Sequence, residues 1–302
     1  MNESLVSKPI ASHELPPATR LMQAHQRMAS SGPIQAVPRA TQRLIAAEIP
    51  VSFYLEGAPY AVMMASPNDA EDFAYGFCLT EGIVVDAREI ISVEVHALAS
   101  GISVEIELSH DPLRKRRLRR RAIAGRTGCG ICGIGSIDQL HRAPWRASGA
   151  ALPVPARSVF AALGRLGPSQ RLNAMTGAFH AAAFCSRDGA VRFVREDVGR
   201  HNALDKLIGA LMRAAVSPDD GFIVVTSRAS FELVEKAAII GARTLVAISA
   251  PTSLAIERAH ALGLTLAAIA RADSLLVFCG ALGADDDPGV PPGPQDSSAI
   301  QV

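Results

Sequence analysis

The sequence predicts an α/β protein, with a core built on a mainly parallel sheet and a smaller N-terminal mixed β/α unit. Strand-like runs at Val191 to Arg195, Phe222 to Thr226, Thr244 to Ser249 and Leu264 to Ile269 alternate with helical patterns near 202–214, 230–241 and 252–262. That rhythm belongs to strands joined by crossover helices. The composition agrees, because 49% of residues are hydrophobic and only 5% aromatic, a balance that suits helices on a sheet better than an aromatic-rich sandwich. A chain of 302 residues holds one large domain or two ordinary ones.

In chain order, residues 1–40 lack a sustained period and predict a disordered tail. The N-terminal unit, 41–112, begins with strands at Val51 to Tyr54 and Tyr60 to Met64 around a Glu56-Gly57 turn. Ser66-Pro67 reads as a helix cap followed by proline at the first helical position, with Ala70, Phe73, Ala74 and Phe77 as the apolar stripe ending before Gly82. Strands follow at Glu89 to Val95 and Ile102 to Leu108. A basic segment with a glycine-rich loop occupies 113–140, the α/β core spans 141–280, and 281–302, rich in Asp and Pro, predicts a second tail.

The glycine-rich loop carries the chemistry. Gly125 to Gly135 holds five glycines around Cys129 and Cys132, directly after Arg114, Lys115, Arg116, Arg117, Arg119, Arg120 and Arg121. Glycine lets such a segment reach and bend, and the positive field favours thiolate over thiol. The pair could be half of a zinc site, a redox dithiol, a sulfur carrier or chance. Structural zinc wants four ligands, and no second Cys-x-x-Cys or paired-His motif is present, so no structural metal is expected. A zinc deaminase needs an upstream His-x-Glu, which His96 and His110 do not supply. Sulfur transfer fits better, since a thiolate must attack a donor persulfide and carry the sulfur on a segment with reach.

In parallel sheets, ligands bind beyond the carboxyl ends of strands. There the chain places Gly199-Arg200-His201-Asn202 at the start of a helix, Arg228 and Ser230 before another, Thr252 and Ser253 before a third, and Ala270 to Ser274 after the last strand. Backbone amides at a helix start, with Arg200 and His201, form a phosphate site, although an ordinary capped turn would look the same. Glu196, Asp197 and Asp205 could recognise a guanine or serve as helix-dipole partners. Cys78, Cys185 and Cys279 read as packing residues.

The net charge of +1 and the lack of stacking aromatics near the arginines argue against a nucleic-acid partner. No secretory leader or membrane-spanning run is visible, which points to a cytoplasmic protein without a membrane partner.

Taken together, four blocks resemble the FdhD family of formate dehydrogenase accessory sulfurtransferases. They are Val62 to Asp69 with Phe73 to Phe77 and Thr80 to Ile83, then Gly125 to Gly133, Arg195 to Gly209, and Ser249 to Ala255. The resemblance implies a cytidine deaminase-like three-layer core and a sulfur carrier that takes persulfide sulfur from a cysteine desulfurase. It further implies delivery to the molybdenum cofactor, in its bis-molybdopterin guanine dinucleotide form, for activation of formate dehydrogenase. Cys129 would hold the persulfide and Cys132 would be the accessory thiol. Cofactor contacts would fall on Gly199, Arg200, His201, Asn202, Arg228, Ser230 and the late segment Ile269, Ala270, Arg271, Ala272, Asp273 and Ser274. That late segment departs from the family's Phe-x-Arg-x-x-Arg character, and Ser227 stands where glycine is frequent. The resemblance also points to a homodimer. The competing class is a nonenzymatic zinc- or nucleotide-binding maturation adaptor.

Overall fold

Strand pairing in the computed structural model, which describes residues 15–26, 39–109 and 153–284, organises the chain into three sheets. Strands β1 (Thr19–Gln26) and β2 (Arg39–Ala46) form a two-stranded antiparallel ribbon. A four-stranded sheet follows from β3 (Ile49–Leu55), β4 (Ala58–Ala65), β5 (Ile90–Leu98) and β6 (Gly101–Leu108), in the order β4-β3-β6-β5, with α1 (Ala70–Thr80) between β4 and β5. The remainder supplies α2 (Ala156–Ser169), α3 (Arg171–Thr176), β7 (His180–Ser186), β8 (Val191–Asp197), α4 (Arg200–Arg213), β9 (Gly221–Val225), α5 (Phe231–Ile240), β10 (Thr244–Ala247), α6 (Ser253–Leu262), β11 (Thr265–Ala268) and β12 (Leu276–Cys279). Its six strands lie in the order β12-β11-β10-β9-β7-β8.

The large sheet is mixed rather than mainly parallel. Only β9 with β10 and β10 with β11 pair in parallel, whereas β7 with β8, β7 with β9, and β11 with β12 are antiparallel. Short connections explain two of these, because the few residues between β7 and β8 or between β11 and β12 cannot make a crossover.

Both faces of this sheet are covered, so its strands are apolar without alternation. Ala182, Phe184, Ile223, Val225, Leu245 and Leu266 face a core shared with α1, α4 and the four-stranded sheet. Their neighbours Ala181, Ala183, Phe222, Val224, Val246 and Ala267 face α2. The first core is continuous across both halves of the chain, from Val51 and Phe53 through Phe73 and Phe77 to Leu204 and Leu207. Phe53 stacks on Phe77 at 4.5 Å between ring centroids and meets Phe73 edge-on at 5.1 Å.

Helices α1 and α4 cross at backbone distance. A Cβ on Gly76 would lie 1.8 Å from the Asp205 carbonyl oxygen, and one on Gly209 would lie 1.8 Å from that of Asp72. The two glycines are therefore a matched pair that permits the crossing.

The Glu56-Gly57 turn is as expected, a two-residue hairpin connection with positive φ at both positions. The expected Ser66 cap is not. Helix α1 begins at Ala70 with Asp69 as its N-cap, while Ser66 is held by the β8–α4 connection. The predicted tail at 1–40 contains β1 and the first residues of β2. No helix among the described residues is long and apolar enough to cross a membrane.

Candidate functional site

Strand directions bring most of the sequence-predicted positions to one edge of the large sheet. His180 at the start of β7 pairs with Asp197 at the end of β8, Ala182 pairs with Val225 at the end of β9, and Ala268 at the end of β11 pairs with Leu276 at the start of β12. With β9, β10 and β11 parallel, this edge also receives the first residues of α4, α5 and α6. Three helix N-termini thus converge where backbone N–H groups and dipoles favour an anion.

The side chains at the edge fall into two groups. Gly199, Arg200 and His201 are half-buried and Arg228 is exposed. His201 Nε2 lies 2.8 Å from Glu232 Oε2 in the first turn of α5. Burial presses the Glu232 carboxyl upward, but the His201 hydrogen bond and the Lys236, His201 and Arg200 charges outweigh it and hold the group below its ordinary value. His180 is shifted down, first by burial and then by the neighbouring Arg200, with Asp197 acting in the opposite direction. The Ser230 hydroxyl is buried at the start of α5 and has no hydrogen-bond partner, whereas Thr252 caps α6 by accepting from the Ala255 N–H at 3.3 Å. Ordinary caps look like Thr252. Ser230 is left with an unfilled bond, facing the same edge as the cationic groups.

The late segment divides as well. Ile269 is 36% exposed and adopts φ 52°, a left-handed conformation that costs a β-branched residue about 1–3 kcal/mol. Ala270 is buried in the α2-side core. The Arg271 guanidinium donates to the carbonyls of Ile248 at 2.6 Å and Ala270 at 2.9 Å, and its N–H closes a turn onto Ser274 O. Ala272, Asp273 and Ser274 are exposed on that turn.

Other predicted groups are turned inward. Asn202 is buried, and its amide donates to Met64 O at 2.8 Å and Asp197 Oδ1 at 3.0 Å. Asp197 accepts from four donors: the Ser66 and Gly199 N–H groups, the Asn202 amide and the Lys206 ammonium. Asp205 accepts from Lys236 and Thr80, and Glu196 caps α3 by accepting from the Leu172 and Asn173 N–H groups. None of the three carboxylates is available to read a base. Glu232 was not foreseen, since an acid in a first helical turn ordinarily reads as a dipole partner.

Cys129, Cys132 and the arginine run lie outside the described residues. Among the described thiols, burial pushes Cys78 far up and Cys185 up to about 12, and it raises Cys279 too. All three are poor nucleophiles at neutral pH. Among the described residues no group of three His, Cys, Asp or Glu side chains could hold a metal ion.

A model of the FdhD/NarQ family matches residues 46–282. The chain is 48% identical over 237 residues to a protein of Xanthomonas euvesicatoria named Sulfur carrier protein FdhD, covering 78% of this chain and 84% of the relative. A relative of the same name from Agrobacterium fabrum is 44% identical over 255 residues, covering 84% of this chain and 94% of its own. A crystal structure of a candidate formate dehydrogenase accessory protein from Desulfotalea psychrophila superposes with a TM-score of 0.68 at 22% identity, over 87% of this chain and 98% of that one, and shares the fold.

Proposed function

Because the chain belongs to the FdhD/NarQ family, we propose that it is a cytoplasmic sulfurtransferase that carries persulfide sulfur from a cysteine desulfurase to the molybdenum cofactor during formate dehydrogenase maturation. The Cys129 thiolate attacks the terminal sulfur of the donor's persulfide, the donor S–S bond breaks, and the donor cysteine leaves as thiolate. Cys132 then assists release of the sulfur by forming a disulfide with Cys129. The six-stranded sheet with helices on both faces supports a three-layer, cytidine deaminase-like core.

The observation that carries the reading is the convergence of three helix N-termini with Arg200, His201, His180 and the unpartnered Ser230 hydroxyl at one sheet edge. These groups fit the diphosphates of bis-molybdopterin guanine dinucleotide, which is the sulfur acceptor and hence a substrate. The protein's part is to bind and orient that acceptor and to favour its negative charge.

Mass spectrometry of the protein after incubation with desulfurase and cysteine tests this. The wild type gains the mass of sulfur on Cys129, and Cys129→Ala gains none, matures no formate dehydrogenase and melts like the wild type. Undiminished loading and maturation by Cys129→Ala would exclude the mechanism. Zinc bound stoichiometrically and lost with both thiols would favour the adaptor instead.

A further inference from the structure

The β1–β2 ribbon stands apart from both larger sheets. A lone two-stranded ribbon has marginal stability in water. One face is half-covered through Thr19, Leu44 and Ala46, where β2 packs against α3. On the other face every described residue is exposed, and register sets Arg20 opposite Ile45 and Met22 opposite Arg43. Met22 is 54% exposed and Ile45 43%. Two large apolar side chains alternate there with two guanidinium groups.

Charge narrows what can cover this face. From Leu15 to Ala47 the sequence has four arginines, Arg20, Arg27, Arg39 and Arg43, and no Asp or Glu. A second copy presenting the same ribbon would oppose like charges. Nucleic acid is a poor fit, since this stretch has no aromatic residue for base stacking. An acidic protein surface with apolar patches is complementary in both respects.

Position narrows it further. Helix α3, on which the ribbon leans, leads through Gly177 to His180 at the anion-binding edge, and its N-terminus is tied to Glu196 next to Asp197. A protein seated on the ribbon would overhang that edge. The family match begins at residue 46, so almost all of the ribbon lies outside it.

We propose that the exposed face of the β1–β2 ribbon docks an acidic surface of the protein that receives the ligand held at the sheet edge. The inference rests on the proposed function, in which that recipient is formate dehydrogenase. The full chain is tested for binding to purified formate dehydrogenase lacking its cofactor, at low and high salt. Wild type binds with marked salt dependence, and Arg20→Glu with Arg43→Glu weakens binding by about tenfold or more and flattens that dependence. The melting temperature, guanosine diphosphate binding and sulfur loading of the variant match the wild type. Met22→Glu with Ile45→Glu reproduces the loss.

Unchanged binding by both variants overturns the proposal. So does a loss confined to the desulfurase, a change in oligomeric mass caused by either variant, or binding to duplex DNA that the charge reversals abolish. Wild-type protein that loads sulfur but does not bind the dehydrogenase overturns the docking alone. Wild-type protein that loads no sulfur overturns the function on which it rests.

Discussion

Two faces of one sequence block differ in how completely their polar groups are satisfied. Inward, Asp197, Asn202, Asp205 and Lys206 lie between α1, α4 and the sheet, and the two carboxylates and the Lys206 ammonium are paired. Outward, within the same fifteen residues, Arg200 and His201 join His180 and Ser230, where a buried hydroxyl is unfilled and a histidine is held toward its neutral form. Buried polar groups are normally matched, and exceptions concentrate where a ligand completes them. The inward face is therefore a frame and the outward face a binding surface.

The largest effect expected from this contrast comes from the frame. Lys206 is fully buried, its ammonium 2.7 Å from Asp197 Oδ2 and 3.0 Å from Ser66 O. Lys206→Ala leaves the Asp197 carboxylate buried without its counter-charge, which costs about 3–5 kcal/mol. Urea unfolding measures it, and a loss below about 1 kcal/mol would mean that the network does not hold the molecule together.

Local chemistry predicted where the binding surface lies but not how its motif divides between faces. Strands and helices from β8 onward were readable because their apolar runs are long and separated by capping residues. β7 was not, because three consecutive alanines have little strand preference and owe their place to burial on both sides. α2 was hidden by Gly164, Gly167 and Pro168, the last of these still inside the helix. The ribbon escaped because its pairing joins residues far apart, such as Thr19 and Ala46, and its faces do not alternate cleanly. Asp197 and Asn202 looked like ligand groups because sequence does not show that the Met64–Ser66 strand end folds against them.

A smaller effect of opposite sign comes from the edge. Ile269→Gly removes the left-handed strain at φ 52°. After glycine's own entropy cost, about 1 kcal/mol of stability is gained. If the conformation serves the ligand, guanosine diphosphate affinity falls while melting temperature rises. Stability and affinity rising together would make Ile269 a plain defect of packing.

The finest probe of the contrast is His180, whose ordinary value is 6.5 and whose shift is downward. Burial and Arg200 disfavour its proton in the folded protein, so just below 6.5 the unfolded chain binds more protons and stability falls as pH falls through that window. A bound diphosphate supplies the missing negative charge and draws the proton back. Affinity for guanosine diphosphate should therefore strengthen as pH falls from about 8 to 6, by on the order of threefold to tenfold beyond the same titration in His180→Gln. Titration of the nucleotide and of His201 is common to both proteins, so the difference isolates this ring. Parallel affinity curves, with only the stability slope changed, would move His180 from the binding surface to the frame.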